Sequence, residues 1–236
     1  FIHNKSIHDQ YNVGLYEKDA IKVIDNLFNK KDHLILVGGS GLFADSIISG
    51  LDEFPIIPKK IRTSVRNLFK EEGIEYLQKK IKKLDPKYFS EVDINNSMRL
   101  MRALEIIEHT GKSFSSMRSG KIKKRKFKTS IISLECTREL LYQRINKRVD
   151  KMIDDGLEEE VFKLKKFKNL NTLNTVGYKE FINYFEGKIS YMDAINKIKQ
   201  NTRNYAKRQI TWFKKYTDSK KINISKDLEI DYNNII

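Results

Sequence analysis

Apolar residues recur at helical spacing over residues 15–30 and then give way to an unbroken aliphatic run, Leu34, Ile35, Leu36 and Val37. A run without alternation predicts a strand over residues 33–37 that is buried on both faces, as in a parallel sheet with neighbours on either side. Some of those neighbours are expected upstream of Phe1, so the chain reads as the later part of a longer one. Gly38-Gly39-Ser40-Gly41 then turns into a helix carrying Leu42, Phe43, Ile47 and Ile48 and stopping at Gly50. Strand, glycine turn and helix in that order predict an α/β layer.

Pro55 and Pro58 break this pattern and mark a crossing into a different layer. From residue 60 to 111 the periodicity is helical, interrupted at Gly73 and Asp85-Pro86, with Asn95 or Asn96 placed to cap the helix that carries Met98, Met101, Leu104 and Ile107. A second strand is predicted over residues 129–135. Thr137 caps the next helix, whose Leu141, Ile145, Val149 and Met152 form one stripe, and Gly156 separates it from a helix over residues 157–167. Ser190 and Asp193 resemble a capping box and open a long helix to about residue 216, followed by a short strand at 222–224. The expected division is residues 1–54 and 121–236 for the α/β core and residues 55–120 for a helical insertion.

At 236 residues with 39% apolar side chains, the chain can bury a substantial core, which argues against disorder. No segment approaches the run of about 18 apolar residues that a membrane span needs. One cysteine, Cys136, excludes an internal disulfide and reads as a packing residue, and the absence of an apolar opening segment favours a reducing, cytoplasmic setting. His3, His8, His33 and His109 lack metal-ligand spacing. The formal charge of +15 is unusual enough to need a cause, and phosphate-rich partners supply one, with anionic membrane and a merely solvated surface as rivals. The excess is concentrated: residues 121–128 hold six basic residues and no acidic one, and residues 190–220 hold eight against Asp193 and Asp218.

The glycine turn at 38–41 either surrounds a phosphate or tightens a connection. Gly111-Lys112-Ser113 imitates the end of a phosphate loop, but Ile106 stands where that loop needs glycine, which leaves Gly111 as a helix terminator. Arg144 and Arg148 share a helix face opposite the packing stripe, where two guanidinium forks can neutralise a departing diphosphate or simply stay solvated. The run from Thr202 to Phe213 mixes cations, amides and aromatics. It reads as an RNA-contacting surface with a stacking ring, or as a helix whose Trp212 and Phe213 pack inward.

Taken in order, Val37-Gly38-Gly39-Ser40-Gly41-Leu42-Phe43, Asn96-Ser97-Met98-Arg99-Leu100-Met101-Arg102-Ala103-Leu104-Glu105, Arg148-Val149-Asp150-Lys151-Met152, Asp155-Gly156-Leu157, Gly177-Tyr178-Lys179-Glu180 and the 202–213 run resemble the tRNA dimethylallyltransferase family. The resemblance implies an α/β fold with a three-layer P-loop nucleotide-kinase-like core, N-terminally incomplete here, and an inserted all-helical domain that grips the tRNA anticodon stem-loop. It implies transfer of a dimethylallyl group from dimethylallyl diphosphate to N6 of the adenine 3′-adjacent to the anticodon, with Mg2+ and with the base turned out of its stack. A cytoplasmic monomer without membrane contact is expected. Carried over to this chain, Ser40 and Arg148 are the catalytic candidates. Gly39, Ser40, Arg144 and Arg148 are the candidates for binding the diphosphate, and Asn96, Arg99, Arg102, Arg203, Lys207, Arg208 and Gln209 those for tRNA, with no metal ligand among these residues.

Three departures accompany the resemblance. Ser40 stands where the family usually has threonine and Phe43 where it often has tyrosine. The family's GxxxxGK[ST] loop, its magnesium-binding hydroxyl and its early general-base aspartate have no counterpart, and Asp9 and Asp19 come too late in the pattern to replace the latter. These 236 residues alone are therefore expected to transfer nothing detectable, while the parent protein is an enzyme. The alternatives are a prenyltransferase using free adenine nucleotides and a noncatalytic protein that binds tRNA anticodon loops.

Overall fold

A computed structural model describes residue 1 and residues 4–224, which leaves His3 outside the description. The chain divides into two compact units: Ser49–Lys124, and Phe1–Ile48 together with the chain from Arg125 onward.

In the discontinuous unit, α1 (Val13–Phe28) begins at Asn12, whose side chain accepts from the Gly14 and Leu15 N–H groups. It packs on α2 (Gly41–Ile48) through Tyr16, Ala20 and Ile47. Glu17 on α1 is buried, and Arg125 answers its charge at 2.8 Å. The same guanidinium donates to the carbonyls of Ser46 at 2.6 Å and Ile47 at 2.8 Å, groups that the end of a short helix leaves without helical partners. One cation of the basic 121–128 run is thus an internal strut.

Beyond it, β1 (Ile132–Glu135) and β2 (Lys220–Asn223) pair in parallel, with Ile132 opposite Lys220 and Leu134 opposite Ile222. The crossover between them holds α7 (Arg138–Asp154), α8 (Leu157–Leu164), α9 (Tyr178–Phe185) and α10 (Tyr191–Phe213). Thr137 and Ser190 cap α7 and α10 as their spacing predicts. The largest core of this unit gathers Val149, Leu157, Val161, Phe181, Ala194 and Ile198. Glu180 lies buried at its margin, accepting from Gly177 N–H at 2.8 Å and from the Asn201 amide at 2.7 Å. Those two donors offset the cost of burying the carboxylate.

The strand predicted over residues 33–37 is not formed. Among the described residues the only strand pairing is β1 with β2, and the 33–37 segment runs without regular structure, with Ile35 91% and Val37 87% exposed. The physical reason is that a strand exists only as a hydrogen-bonded pair, and aliphatic composition does not supply the partner.

The second unit is all-helical: α3 (Lys59–Leu84), α4 (Pro86–Glu91), α5 (Ser97–Thr110) and α6 (Phe114–Met117). Gly73 breaks the helical path inside α3, and Gly111 at φ 69° ends α5. Val65, Leu77, Ile81, Leu100 and Leu104 form its core. Asp85, 1% exposed, ties the unit together by accepting from Tyr88 N–H at 3.0 Å, Ser115 N–H at 2.7 Å and the Ser115 hydroxyl at 2.6 Å. No helix among the described residues is long and apolar enough to cross a membrane.

Candidate functional site

The glycine turn lies under α10. The Gly39 carbonyl accepts from the Gln209 amide at 2.7 Å and from the Tyr205 hydroxyl at 3.1 Å. A Cβ built on Gly39 would stand 2.5 Å from Gln209 Nε2, and one on Gly41 would stand 2.2 Å from Trp212 Cδ2. Both separations are below ordinary van der Waals contact, so these two glycines leave room for the side chains of α10. Neither alternative considered for the turn, phosphate cradle or tight connection, includes that requirement.

One turn into α2, Asp45 receives three donors from the end of α10 and the residues after it. Trp212 Nε1 donates at 3.0 Å, and the Lys215 ammonium and Tyr216 hydroxyl also donate to its carboxylate. Lys215 lies over the Trp212 ring at 4.1 Å, which adds a cation–π contact. Burial, then the hydrogen bond and charge of Asp45, push the Tyr216 phenol well above its usual range, so it stays protonated as a donor. Trp212 is therefore engaged with α2, which agrees with the inward-packing alternative for that ring.

Ser40 is half-buried, and its carbonyl starts α2 by accepting from Ala44 N–H at 3.1 Å. Of the residues expected to meet RNA, Lys207 and Arg208 are exposed on α10, with Arg208 over the Tyr205 ring at 5.6 Å. Arg203 is instead held by α7: it donates to the Asn146 side chain at 2.8 Å and lies 5.8 Å from the Tyr142 ring centre. Arg144 and Arg148 flank that contact along α7, both exposed, while Ile145 and Val149 are buried behind them. The structure thus joins Gly39 to Gln209, and Arg203 to the helix that carries both diphosphate candidates.

In the helical unit, Asn96 caps α5 by accepting from Arg99 N–H at 3.2 Å. Arg99 is exposed, and Arg102 pairs with Glu105 at 3.4 Å and sits 5.9 Å from the Phe54 ring centre. The sequence pattern assigned no role to Asp45 or Tyr216, and it marked Tyr205 only as part of the 202–213 run and of the packing side of that helix. Nothing in the local pattern marks the contacts these three residues make, because their partners lie far along the chain. Magnesium is implied by the resemblance, yet the described residues contain no group of three His, Cys, Asp or Glu side chains able to hold a metal ion. Asp45, a carboxylate one turn into α2, already accepts from three donors, so its oxygens are committed within the protein.

Residues 1–216 match the family model described as IPP transferase. A tRNA dimethylallyltransferase of Christiangramia forsetii is 51% identical over 215 residues, which cover 91% of this chain and 71% of that protein. The full-length tRNA isopentenylpyrophosphate transferase of Bacillus halodurans superposes with a TM-score of 0.64 at 29% identity, covering 96% of this chain and 72% of that one. A eukaryotic dimethylallyltransferase acting on tRNA superposes with a TM-score of 0.79 over 98% of this chain and 61% of its own, and at 22% identity that likeness speaks to fold. The expected P-loop-like α/β architecture is the one these neighbours share. A family match that spans the glycine turn, the arginine-bearing α7 and the basic α10 together makes this chain a member of the IPP transferase family.

Proposed function

We propose that this protein transfers a dimethylallyl group from dimethylallyl diphosphate to N6 of the adenine 3′-adjacent to the tRNA anticodon. The observation that carries the reading is the seating of basic α10 on the glycine turn, inside a chain whose IPP transferase match includes both. The relatives' name favours tRNA over a free adenine nucleotide as acceptor, and a transferase over a noncatalytic binder.

In this reaction the N6 lone pair attacks the allylic carbon, the bond from that carbon to the diphosphate oxygen breaks, and N6 releases a proton. The protein must hold acceptor and donor in line and neutralise the departing diphosphate. Arg148, with Arg144 one turn earlier on α7, takes the leaving group. Ser40 and the Gly39–Ser40 backbone meet its other side. Lys207 and Arg208 engage RNA phosphates, and in the helical unit Asn96, Arg99 and Arg102 contact the anticodon stem-loop. Magnesium, for which the described residues offer no ligand set, would supply further charge neutralisation at the diphosphate in the full-length enzyme. A monomer acting in the cytoplasm completes the reading.

The test is an Arg148→Ala variant of the full-length protein, assayed with labelled dimethylallyl diphosphate and tRNA. Turnover should fall about 10²- to 10³-fold while RNA affinity changes by less than about threefold, as for loss of a group that acts only on developing charge. A matching loss of RNA affinity would place Arg148 on the nucleic-acid surface. Absence of label from the tRNA with the unaltered protein would sink the reading itself.

A further inference from the structure

We propose that Gln209 and Tyr205 are positioning residues that lock the Gly39–Ser40 peptide with its carbonyl toward α10 and its N–H toward the donor diphosphate. This rests on the transferase reading above, and it moves Gln209 from the RNA surface to the donor side.

The argument starts from peptide geometry. No peptide bond among the described residues is cis, and in a trans peptide the carbonyl and the following N–H point in opposite directions. The Gly39 carbonyl is taken by Gln209 at 2.7 Å and by Tyr205 at 3.1 Å, so the Ser40 N–H is aimed away from α10. Among the described residues nothing accepts from that N–H, whereas the Ser40 carbonyl is already used by α2. The next amides along the first turn of α2 are likewise donors without helical partners. Fixed in this way, the turn offers N–H groups on its open side, the polarity an anion needs.

The lock is needed because of the glycines. A flip of this peptide turns ψ of Gly39 and φ of Ser40, and Gly39 brings no side chain that would resist its share of the rotation. Glycine tolerates backbone conformations on both sides of the map, so on the Gly39 side a flip of the 39–40 peptide is opposed by what holds its carbonyl. A flipped peptide would present a carbonyl oxygen to the diphosphate and repel it. Two donors from one helix face, four residues apart, oppose that rotation. The closeness of Gln209 to position 39 also explains why a side chain is absent there. The anchor at Asp45 holds the same helix to α2 one turn later, which keeps both donors in reach.

The experiment compares Gln209→Ala, Tyr205→Phe and the double variant with the unaltered protein, all as the full-length chain. Amide hydrogen exchange over residues 39–43 should quicken at least about tenfold in the double variant, while exchange in the α7 and α9 core stays unchanged. Inorganic pyrophosphate, titrated by calorimetry, should bind at least about tenfold more weakly. In turnover, the loss should fall on kcat/KM for dimethylallyl diphosphate, with tRNA affinity held within about threefold. Gln209→Glu adds a pH readout: a carboxylate cannot donate and a neutral carboxyl group can, so protection of residues 39–43 should return as the pH is lowered from about 7 to about 4. Unchanged exchange at residues 39–43 in the double variant would overturn the lock, even if the unaltered protein proved unable to bind pyrophosphate. Weakened tRNA binding with pyrophosphate binding intact would overturn it as well and return Gln209 to the RNA surface. Normal exchange effects in a protein that never transfers the prenyl group would leave the lock standing and fault the transferase reading.

Discussion

The indole of Trp212 occupies the space that a side chain on Gly41 would need, with an added Cβ falling 2.2 Å from the ring and the Nε1 beyond it donating to Asp45. The start of α2 and the end of α10 are therefore shaped to each other at one position, and a methyl group there must push the helices apart or turn the indole. Gly41→Ala should lower stability by about 1–3 kcal/mol, the usual cost of overpacking. It should also change the emission maximum of the lone tryptophan. Denaturant unfolding followed by that fluorescence checks both, and an unaltered midpoint would mean the indole moves freely.

Asp45 gathers the Trp212, Lys215 and Tyr216 donors, so Asp45→Ala strands three polar groups at once. The expected loss is about 2 kcal/mol, because the site is only partly withdrawn from water. The phenol supplies a second signal. Its folded value is raised, so its contribution is fully present below the unfolded tyrosine value and is lost as pH rises through the folded one. Alkaline difference absorbance should show the Tyr216 step moving down in the variant, part of the way only, since burial remains.

Asp85 governs the acid limit of the helical unit. Burial would raise its carboxyl group, but hydrogen bonds from the Ser115 hydroxyl and from the backbone of Ser115, Tyr88 and Phe114 outweigh that and hold it below the ordinary aspartate value. A depressed value gives stability that is present above the unfolded aspartate range and lost as pH falls through the folded one. Asp85→Ala should cost about 2–3 kcal/mol at neutral pH. The gap between variant and unaltered protein should narrow steadily below about pH 4, as read by urea unfolding at a series of pH values. A gap independent of pH would assign the effect to packing alone.

Arg125 tests whether the basic 121–128 run serves folding or RNA. Its guanidinium meets Glu17 and the Ser46 and Ile47 carbonyls, so Arg125→Ala should destabilise the protein by about 3–5 kcal/mol, the range for removing one member of a buried pair. Lys124→Ala and Lys126→Ala, both at exposed positions, should change stability by less than about 0.5 kcal/mol. Thermal unfolding of the three variants separates the roles. Equal, small effects would return Arg125 to the surface.

Several features were legible along the chain because their causes are local. Asn96, Thr137 and Ser190 each cap a helix by accepting an N–H three residues ahead, a contact encoded in a short stretch of residues. Gly111 ends α5 and Gly73 breaks α3 for the same kind of reason. The aliphatic run at 33–37 was legible as apolar but not as structure, since pairing depends on a second strand. The 202–213 run was legible as chemistry, yet its division was not: Arg203 turns to α7, Gln209 and Trp212 to the glycine turn and α2, and Lys207 and Arg208 to solvent. Which side of a helix meets which neighbour is settled by packing, and one helical period fits several arrangements.

By itself the amino-acid order determined where most helices start and stop, which stripes are apolar, how much positive charge the chain carries and which family its motifs resemble. Those properties come from neighbours within a turn or two, or from composition. That a side chain on Gly39 or Gly41 would collide with α10, and that Asp45 meets donors 167 and 171 residues away, follows from three-dimensional packing alone. Contacts at that separation form when packed cores bring distant segments together, and no local pattern of side chains encodes the resulting approach.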